Sequence, residues 1–375
     1  MQNKKVTSAD IQSINRNDIF QLLYQKQALS KQGVMAILNI SLPTVTQNIN
    51  RLMEEGLVCE SGSIGNTGGR RAKTYDIVVD ARFSIGLDIT RRHVSIVVID
   101  LRGNFCYHKR VEHPFSTTDE YYHFLGTLVQ EAVTVSQAEP SKILGVGIGV
   151  PGLITKDGKS VYYGKILDFS GVTLEDFSRY IPYPTAIYND ADAAAIAEFH
   201  LRPDLQNAFY ILLSTNVGGV VVIDGKIYPG DISNSAKVGH LRIVPNGRTC
   251  YCGQRGCVDA YCSATVLSSL TGGNLDSFFN LLKQNDPDAL KIWNQYLDHL
   301  ALAIINVYLL FGCTIILGGY VGSYLDEYID ELRLRVQKLA TIDEQADFLE
   351  ICLQKNESIA VGAALSYISS FLLSI

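Results

Sequence analysis

At 375 residues, 47% hydrophobic and 19% charged, the chain is too long for one small domain and apolar enough to bury a large core. It has no run of about eighteen or more apolar residues, and its start, MQNKKVTSADIQS, lacks an apolar signal-type core, so no helical membrane span is expected and a cytoplasmic location is. The net charge of −6 is uneven: residues 1–80 hold nine Lys and Arg against seven Asp and Glu, the remainder 23 against 31, which permits nucleic-acid contact by the first segment and argues against it elsewhere.

Residues 17–79 read as three short helices followed by a hairpin. Asn17 is placed to cap a first helix with Ile19, Phe20, Leu22 and Leu23 on one face. Ser30 is placed to cap a second, with Val34, Ile37 and Leu38 inward. Ser41 is placed to cap a third, and Pro43 falls in its first turn, where a missing N–H costs little. Along that third helix Val45, Ile49, Leu52 and Met53 recur at helical spacing and face a core, and Gly56 ends it. The opposite face carries Thr44, Gln47, Asn48 and Arg51, flanked by Thr46 and Asn50. Gln and Asn can bond adenine bidentately and Thr can offer a hydroxyl or a methyl, so this face suits base edges, with an ordinary solvated face as the alternative.

LVCE (57–60) and AKTYDIVV (72–79) then read as two strands. Between them SGSIGNTGGRR is a Gly-rich loop ending in Arg70 and Arg71. A flexible loop tipped by two arginines resembles the wing of a winged helix-turn-helix, where Arg reaches phosphate or minor groove. Double-stranded DNA is therefore the expected partner of residues 1–80.

From Phe83 the pattern changes. SIGLDIT, VSIVVID and ILGVGIGV (143–150) are strand-like, with a helical stretch from Thr118 to Ser136 before the third. A second round follows: TAIYN, a helix from Ala191 to His200, AFYILLST and GGVVVID, then a long helix from Asp288 to Phe311 leading into TIILGG. Such alternation predicts an α/β body.

Within that body, KVGHLRIVPNGRTCYCGQRGCVD (237–259) places His240, Cys250, Cys252 and Cys257 within eighteen positions. Four borderline or soft ligands complete a closed tetrahedral site, and Zn2+ in a structural role is the expected occupant. Gly253 and Gly256 give the backbone freedom to fold sulfurs around one ion. A disulfide is disfavoured by a reducing compartment, and Cys59, Cys106, Cys262, Cys313 and Cys352 read as scattered thiols.

GH followed by CxCGxxGCx(E/D) resembles the zinc signature of the ROK family (repressors, open reading frames and sugar kinases). GVPG at Gly149 to Gly152, YNDADAAA from Tyr188, LGG at Leu317 to Gly319 and the GRR of the loop are similar in register to other family landmarks. The resemblance implies a two-lobed, actin-like, ribonuclease H-like body of sugar-kinase type. Residues 81–190 would form the first lobe and 191–355 the second, with a last helix at about 356–375 packing back on the first. It also implies a homodimer or homotetramer, and a sugar site at Gly152, Asn189, Asp190, Lys237, His240 and Asp259. In the family's kinases the aspartate matching Asp190 is the general base; the alternative is that Asp190 only caps the helix that follows.

The chain departs from the kinase pattern at all three glycine loops. Asp88-Ile89-Thr90-Arg91-Arg92 replaces a DxGGT-like loop, Ser214 to Val220 keeps two glycines of a GTGxGGG-like loop, and Gly318-Gly319-Tyr320 replaces GGG. Phosphate loops use glycine so that backbone N–H groups can approach the anion, so ATP binding and phosphoryl transfer are not expected and Asp190 becomes a vestigial base. Lys237 stands where the family has glutamate, and Asp259 where it has a longer acid. Lys237 either answers an anionic effector or pairs with Asp190 or Asp259 and closes the pocket. The expected function is a sugar-responsive DNA-binding regulator, most simply a repressor of carbohydrate uptake or catabolism released by a sugar or sugar derivative. An ATP-dependent sugar kinase and a ligand-independent DNA-binding protein with a decayed pocket are the alternatives.

Overall fold

The computed structural model describes residues 8–64, 72–230, 235–340 and 345–375, with side chains from Ser13 onward. Arg70 and Arg71 lie outside the described residues.

The N-terminal unit is built from α1 (Ser8–Lys26), a short strand β1 (Leu29–Ser30), α2 (Lys31–Leu38), α3 (Leu42–Glu54), β2 (Val58–Ile64) and β3 (Ala72–Ile77). Asn17 is not a cap. Neither Gly nor Pro interrupts Ser8–Lys26, so the helix runs through it, and its amide donates instead to the Leu372 carbonyl at 2.6 Å. Ser30 and Ser41 do cap their helices, accepting from the N–H groups of Gly33 and Thr44. Gly56 takes φ +70° just past α3. Ile19, Phe20, Leu23, Val34, Val45, Ile49 and Leu52 are fully buried, so the apolar stripes of the three helices meet in one core. β3 pairs antiparallel with both β1 and β2, closing the unit with a hairpin.

The rest is a duplicated α/β plan. In the first lobe β4 (Phe83–Ile89), β5 (His93–Asp100) and β6 (Phe105–Glu112) form an antiparallel meander. After α4 (Asp119–Ser136) comes β7 (Ile143–Val150), parallel to β4. The hairpin of β8 (Leu153–Ile154) and β9 (Val161–Tyr163) and the short α5 (Leu174–Ser178) follow. β10 (Thr185–Asn189) then runs parallel to β7, giving the order β10-β7-β4-β5-β6. α6 (Asp190–His200) leads to the second lobe.

There β11 (Ala208–Leu213), β12 (Val217–Ile223) and β13 (Lys226–Ile227) form the same meander. The helices α7 (Asp259–Cys262), α8 (Ala264–Ser268), α9 (Leu275–Lys283) and α10 (Pro287–Phe311) precede β14 (Thr314–Gly318). α11 (Gly319–Gly322) and α12 (Ile329–Leu339) precede β15 (Leu349–Ile351). The order β13-β12-β11-β14-β15 repeats that of the first lobe, and a core around Trp293, Tyr296 and Leu300 fills the helix layer.

The last helix, α13 (Ser358–Ser374), is apolar or small on every side because it is enclosed on several sides. It lies flat on the first sheet, so close that a Cβ on Gly86 would fall 1.8 Å from the Ala360 carbonyl oxygen and one on Gly147 2.1 Å from that of Ala363. α6 packs on α13 just as closely, and the C-terminal end of α13 meets α1. No helix among the described residues is long and apolar enough to cross a membrane.

Candidate functional site

Two adjoining cavities occupy the space between the lobes. The smaller, about 450 Å3, is lined by Gly152, Tyr162, Tyr163, Asn189, Asp190, Asn216, Lys237, His240 and Tyr251, among others. Its floor is the junction of β10 with α6. Asn189 is the N-cap of α6, accepting from the N–H groups of Ala191 and Asp192 and donating through Nδ2 to the Gly152 carbonyl at 2.9 Å. The cap is therefore Asn189 and not Asp190, because Asp190 is already the first helical residue. One Asp190 oxygen accepts from the Ala191 N–H at 2.9 Å and the other from Asn216 Nδ2 at 3.3 Å. Burial pushes the Asp190 carboxyl up to about 6, offset by those two donors and by nearby Lys237. The remaining Asn216 acceptor, Oδ1, is buried and has no partner among the described residues.

Lys237 lines this cavity without closing it. No ion pair within 4.0 Å joins it to Asp190 or Asp259 among the described residues; those carboxylates accept from Ala191, Asn216 and Val217. Burial lowers its pKa, opposed first by Asp192 and then by Asp190. Asp259 is not among the residues lining the smaller cavity: its Oδ2 accepts the Val217 N–H at 2.7 Å, and it lines the larger one. One methylene shorter than Glu, it ends at the backbone of β12.

One wall is the loop carrying the Cys and His residues. One donor atom from each of His240, Cys250, Cys252 and Cys257 lies within 4.8 Å of the other three. Cys252 Sγ and Cys257 Sγ are 3.8 Å apart, and Cys250 Sγ and His240 Nδ1 are 3.9 Å apart. Metal–sulfur arms of about 2.3 Å at tetrahedral angles give edges of about 3.8 Å, close to these two spacings. Gly253 and Gly256 take φ +88° and +82°, and a Cβ on Gly256 would fall 1.8 Å from the Val244 carbonyl oxygen. The other ring nitrogen of His240, Nε2, is 3.2 Å from the Tyr251 hydroxyl, and both residues line the cavity.

The larger cavity, about 1160 Å3, is lined by Thr90, Arg91, Arg92, Thr215, Tyr320 and Glu357 among others. Here the first and third altered loops meet. Tyr320, at the start of α11, donates its hydroxyl to Asp88 Oδ2 on β4 at 3.0 Å, and the Arg110 guanidinium lies over its ring at 5.2 Å. Burial pushes Asp88 up to about 7, reinforced by Glu357 and opposed by the Tyr320 hydrogen bond. Because this lies above the ordinary 3.8, the folded protein binds the proton more tightly than the unfolded chain. Asp88 thus favours folding most below about pH 4 and loses that contribution as pH rises through about 7. Asp88→Asn is expected to flatten the stability profile over that range and to stabilise the protein at pH 8, by urea titration, on the order of a few kcal/mol.

On α3, Gln47, Asn50 and Arg51 are exposed and Thr44 and Thr46 partly so. Asn50 Oδ1 accepts from Lys31 Nζ, and Arg51 pairs with Glu55, both at the surface. Asn48 is 6% exposed, with its amide donating to the Thr44 carbonyl at 2.9 Å. It lies on the core side because the buried stripe of Val45, Ile49 and Leu52 is wide enough to include it. The outward face is therefore centred on Pro43, Gln47, Asn50 and Glu54.

Sequence reasoning did not single out Tyr251, Asn216 or Asp192. Tyr251 had a local signal, lying between two ligand-type cysteines; Asn216 and Asp192 meet their partners only through the fold.

The ROK family model matches residues 84–368, and a winged helix-turn-helix DNA-binding model matches residues 13–58. The chain is similar to a putative xylose repressor of a Caldicellulosiruptor species, 26% identical over 96% of this chain and 97% of that one. It is similar to the xylose repressor of Bacillus subtilis, 27% identical over 79% of each, and to the N-acetylglucosamine repressor of Shigella flexneri, 23% identical over 73% of this chain and 66% of that one. Among solved structures, a ROK family transcriptional regulator described as a homologue of the Escherichia coli MLC protein superposes with a TM-score of 0.74 at 19% identity, covering 97% of both chains. A ROK family glucokinase from Streptomyces griseus, in complex with glucose and AMPPNP, superposes with a TM-score of 0.65 at 23% identity, covering 76% of this chain and 98% of that one. The duplicated two-lobed body, the His and Cys loop beside its cleft and the family match over most of its length establish that the chain belongs to the ROK family and carries a winged helix-turn-helix ahead of the ROK domain.

Proposed function

We propose that the protein is a sugar-responsive DNA-binding regulator, most simply a cytoplasmic repressor of carbohydrate uptake or catabolism genes. Residues 1–80 bind the operator and the two lobes, 81–190 and 191–355, enclose the effector. The carrying observation is one chain that joins an outward polar helix to a cavity of about 450 Å3 with a buried acceptor at Asn216 that has no partner among the described residues. Asp190 and Asn216 accept sugar hydroxyls, Asn189 holds the floor, and the faces of Tyr162 and Tyr163 cover the apolar side of the ring. The xylose and N-acetylglucosamine repressors among the relatives support a monosaccharide or its derivative as effector. The ammonium of Lys237, which has no ion pair among the described residues, favours one with an anionic or acceptor substituent near it.

Structural Zn2+ held by His240, Cys250, Cys252 and Cys257 fits the donor set and its spacing. Catalysis is not part of this reading. A metal or phosphate at the cleft would have to displace Tyr320 from Asp88, and Arg91 and Arg92 stand where close backbone approach is needed. Two half-sites on DNA call for a homodimer or a tetramer of such dimers.

On α3, Gln47, Asn50, Arg51, Thr44 and Thr46 face the bases, and Arg70 and Arg71 reach phosphate or minor groove. Gln47→Ala is expected to weaken operator binding by about 1–3 kcal/mol in a fixed-salt titration. Asn48→Ala should act on folding stability instead.

A thermal-shift panel tests the pocket. D-xylose, N-acetyl-D-glucosamine, their phosphates, a uronic acid and AMPPNP would each be added to the purified chain. Stabilisation by a sugar or sugar derivative and none by AMPPNP is expected. Stabilisation by AMPPNP with magnesium would favour the kinase reading.

A further inference from the structure

The first turn of α6 is part of the floor of the smaller cavity, and its last residue touches the DNA-binding unit. The helix is 11 residues long, about 16 Å. At its start are the Asn189 cap and Asp190. At its end the His200 ring packs edge-on against Tyr24 of α1, with centroids 6.2 Å apart and Nε2 3.5 Å from the Tyr24 hydroxyl. Tyr24 is also held by the first lobe: Arg102 donates to its carbonyl at 2.7 Å and pairs with Asp76 of β3 at 2.5 Å.

The second support of α1 is separate. Asn17 donates to the Leu372 carbonyl, and Phe20 meets Phe371 edge-on, both on α13. α13 is seated on the first sheet by the backbone contacts at Gly86 and Gly147. α6 packs against α13 at backbone distance at one point: a Cβ on Gly362 would fall 1.6 Å from the Ala193 carbonyl oxygen, and Ala193, Ala194 and Ala197 are fully buried. α1 therefore rests on a fixed helix at one place and on the end of a pocket-lining helix at another.

We propose that α6 is a mechanical lever between the effector pocket and the winged helix, with His200 and Tyr24 as the positioning residues through which it acts. The proposal rests on the sensor reading for its biological purpose but not for its geometry. A ligand that grips Asp190 or displaces the Asn189 cap shifts a short stiff helix whose closest contact with α13 is the Gly362 notch and whose Glu198 is bonded to the Leu353 and Gln354 N–H groups. That movement tilts α1 about its anchor on α13, and α1 carries α3 with it through the shared core. Helix shifts of about 1–2 Å are the ordinary scale of such transitions.

The lever can be tested without knowing the effector. Hydrogen exchange would be followed by mass spectrometry on the full chain, unliganded, for wild type, Asn189→Ala, Asn189→Ser, His200→Ala and Asn189→Ala with His200→Ala. Loss of the cap loosens the first turn of α6, and Asn189→Ser keeps a capping oxygen. Exchange around residues 20–26 of α1 is expected to rise roughly twofold to fivefold in Asn189→Ala, to return to the wild-type level in Asn189→Ser, and to be insensitive to the cap once His200 is Ala. Asn274→Ala, which removes the corresponding cap of α9, should leave α1 unchanged.

Cap loss confined to α6 and the pocket overturns the lever. An equal rise at α1 with and without His200 overturns the route through His200. Neither result depends on whether a sugar releases DNA, which is the separate test of the sensor reading.

Discussion

Cys252→Ser is expected to cost on the order of 4 kcal/mol, lower the melting temperature by about 10 °C and abolish the response to effector while leaving a folded first lobe. The loop from Lys237 to Asp259 contains a short 3-10 turn at Val238–His240 and otherwise little regular structure. Its shape is set by two left-handed glycines, backbone bonds such as Ile243 N–H to the Gly256 carbonyl, and the convergence of four donors. A serine hydroxyl is a poor replacement for a thiolate ligand, so the variant loses the ion and, with it, the constraint that positions His240 and Tyr251 at the cavity. Native mass spectrometry should find one zinc per chain in wild type and none in the variant. Wild-type protein free of metal, with unchanged melting and effector response, would contradict the metal assignment.

Asp190→Asn is the second large effect. It preserves shape and the contact with the Ala191 N–H but removes a buried charge that can accept two sugar hydroxyls. Charged hydrogen bonds of this kind contribute about 1.5–3 kcal/mol each, so effector affinity should fall by about 100-fold. A pH signature accompanies it. Burial holds the carboxyl near 6, so the accepting carboxylate is present above that value and is lost below it. Wild-type effector affinity should therefore fall as pH drops through about 6, and the Asn variant should not share that dependence. Isothermal titration across pH 5 to 8 with the active sugar reads both outcomes, and equal affinity of the two proteins at pH 8 would remove Asp190 from the site.

What could be read from the sequence was local. The caps at Ser30 and Ser41, the core stripe of α3 and the four donors of the loop each depend on residues within about twenty positions, and each has a fixed spacing. Motif similarity carried the body further, placing Asn189 and Asp190 at the end of a strand. Errors arose where a side chain's partner lies far along the chain. Asn17 looked like a cap because its bond to Leu372 is invisible from either end, and Asn48 looked outward because the width of a buried stripe depends on what covers it. Lys237 does line the smaller cavity, whereas Asp259, offered to the same pocket, bonds the Val217 N–H and lines the larger cavity. Tyr320 was legible as a lost glycine, yet its reach across the cleft to Asp88 followed only from the meeting of the two sheets.

The central claim is that a sugar in the smaller cavity changes the grip of the winged helix on DNA. The most direct measurement is binding of the purified chain to DNA from upstream of its own gene, at one fixed salt concentration, with and without D-xylose, N-acetyl-D-glucosamine and their phosphates. Salt is fixed because phosphate contacts make affinity steeply salt-dependent. The account predicts tight, sequence-selective binding that one of these compounds weakens by about tenfold or more, an effect lost in Asp190→Asn. Selective binding that no sugar or sugar phosphate alters, by a chain that nonetheless binds the sugar, would contradict it.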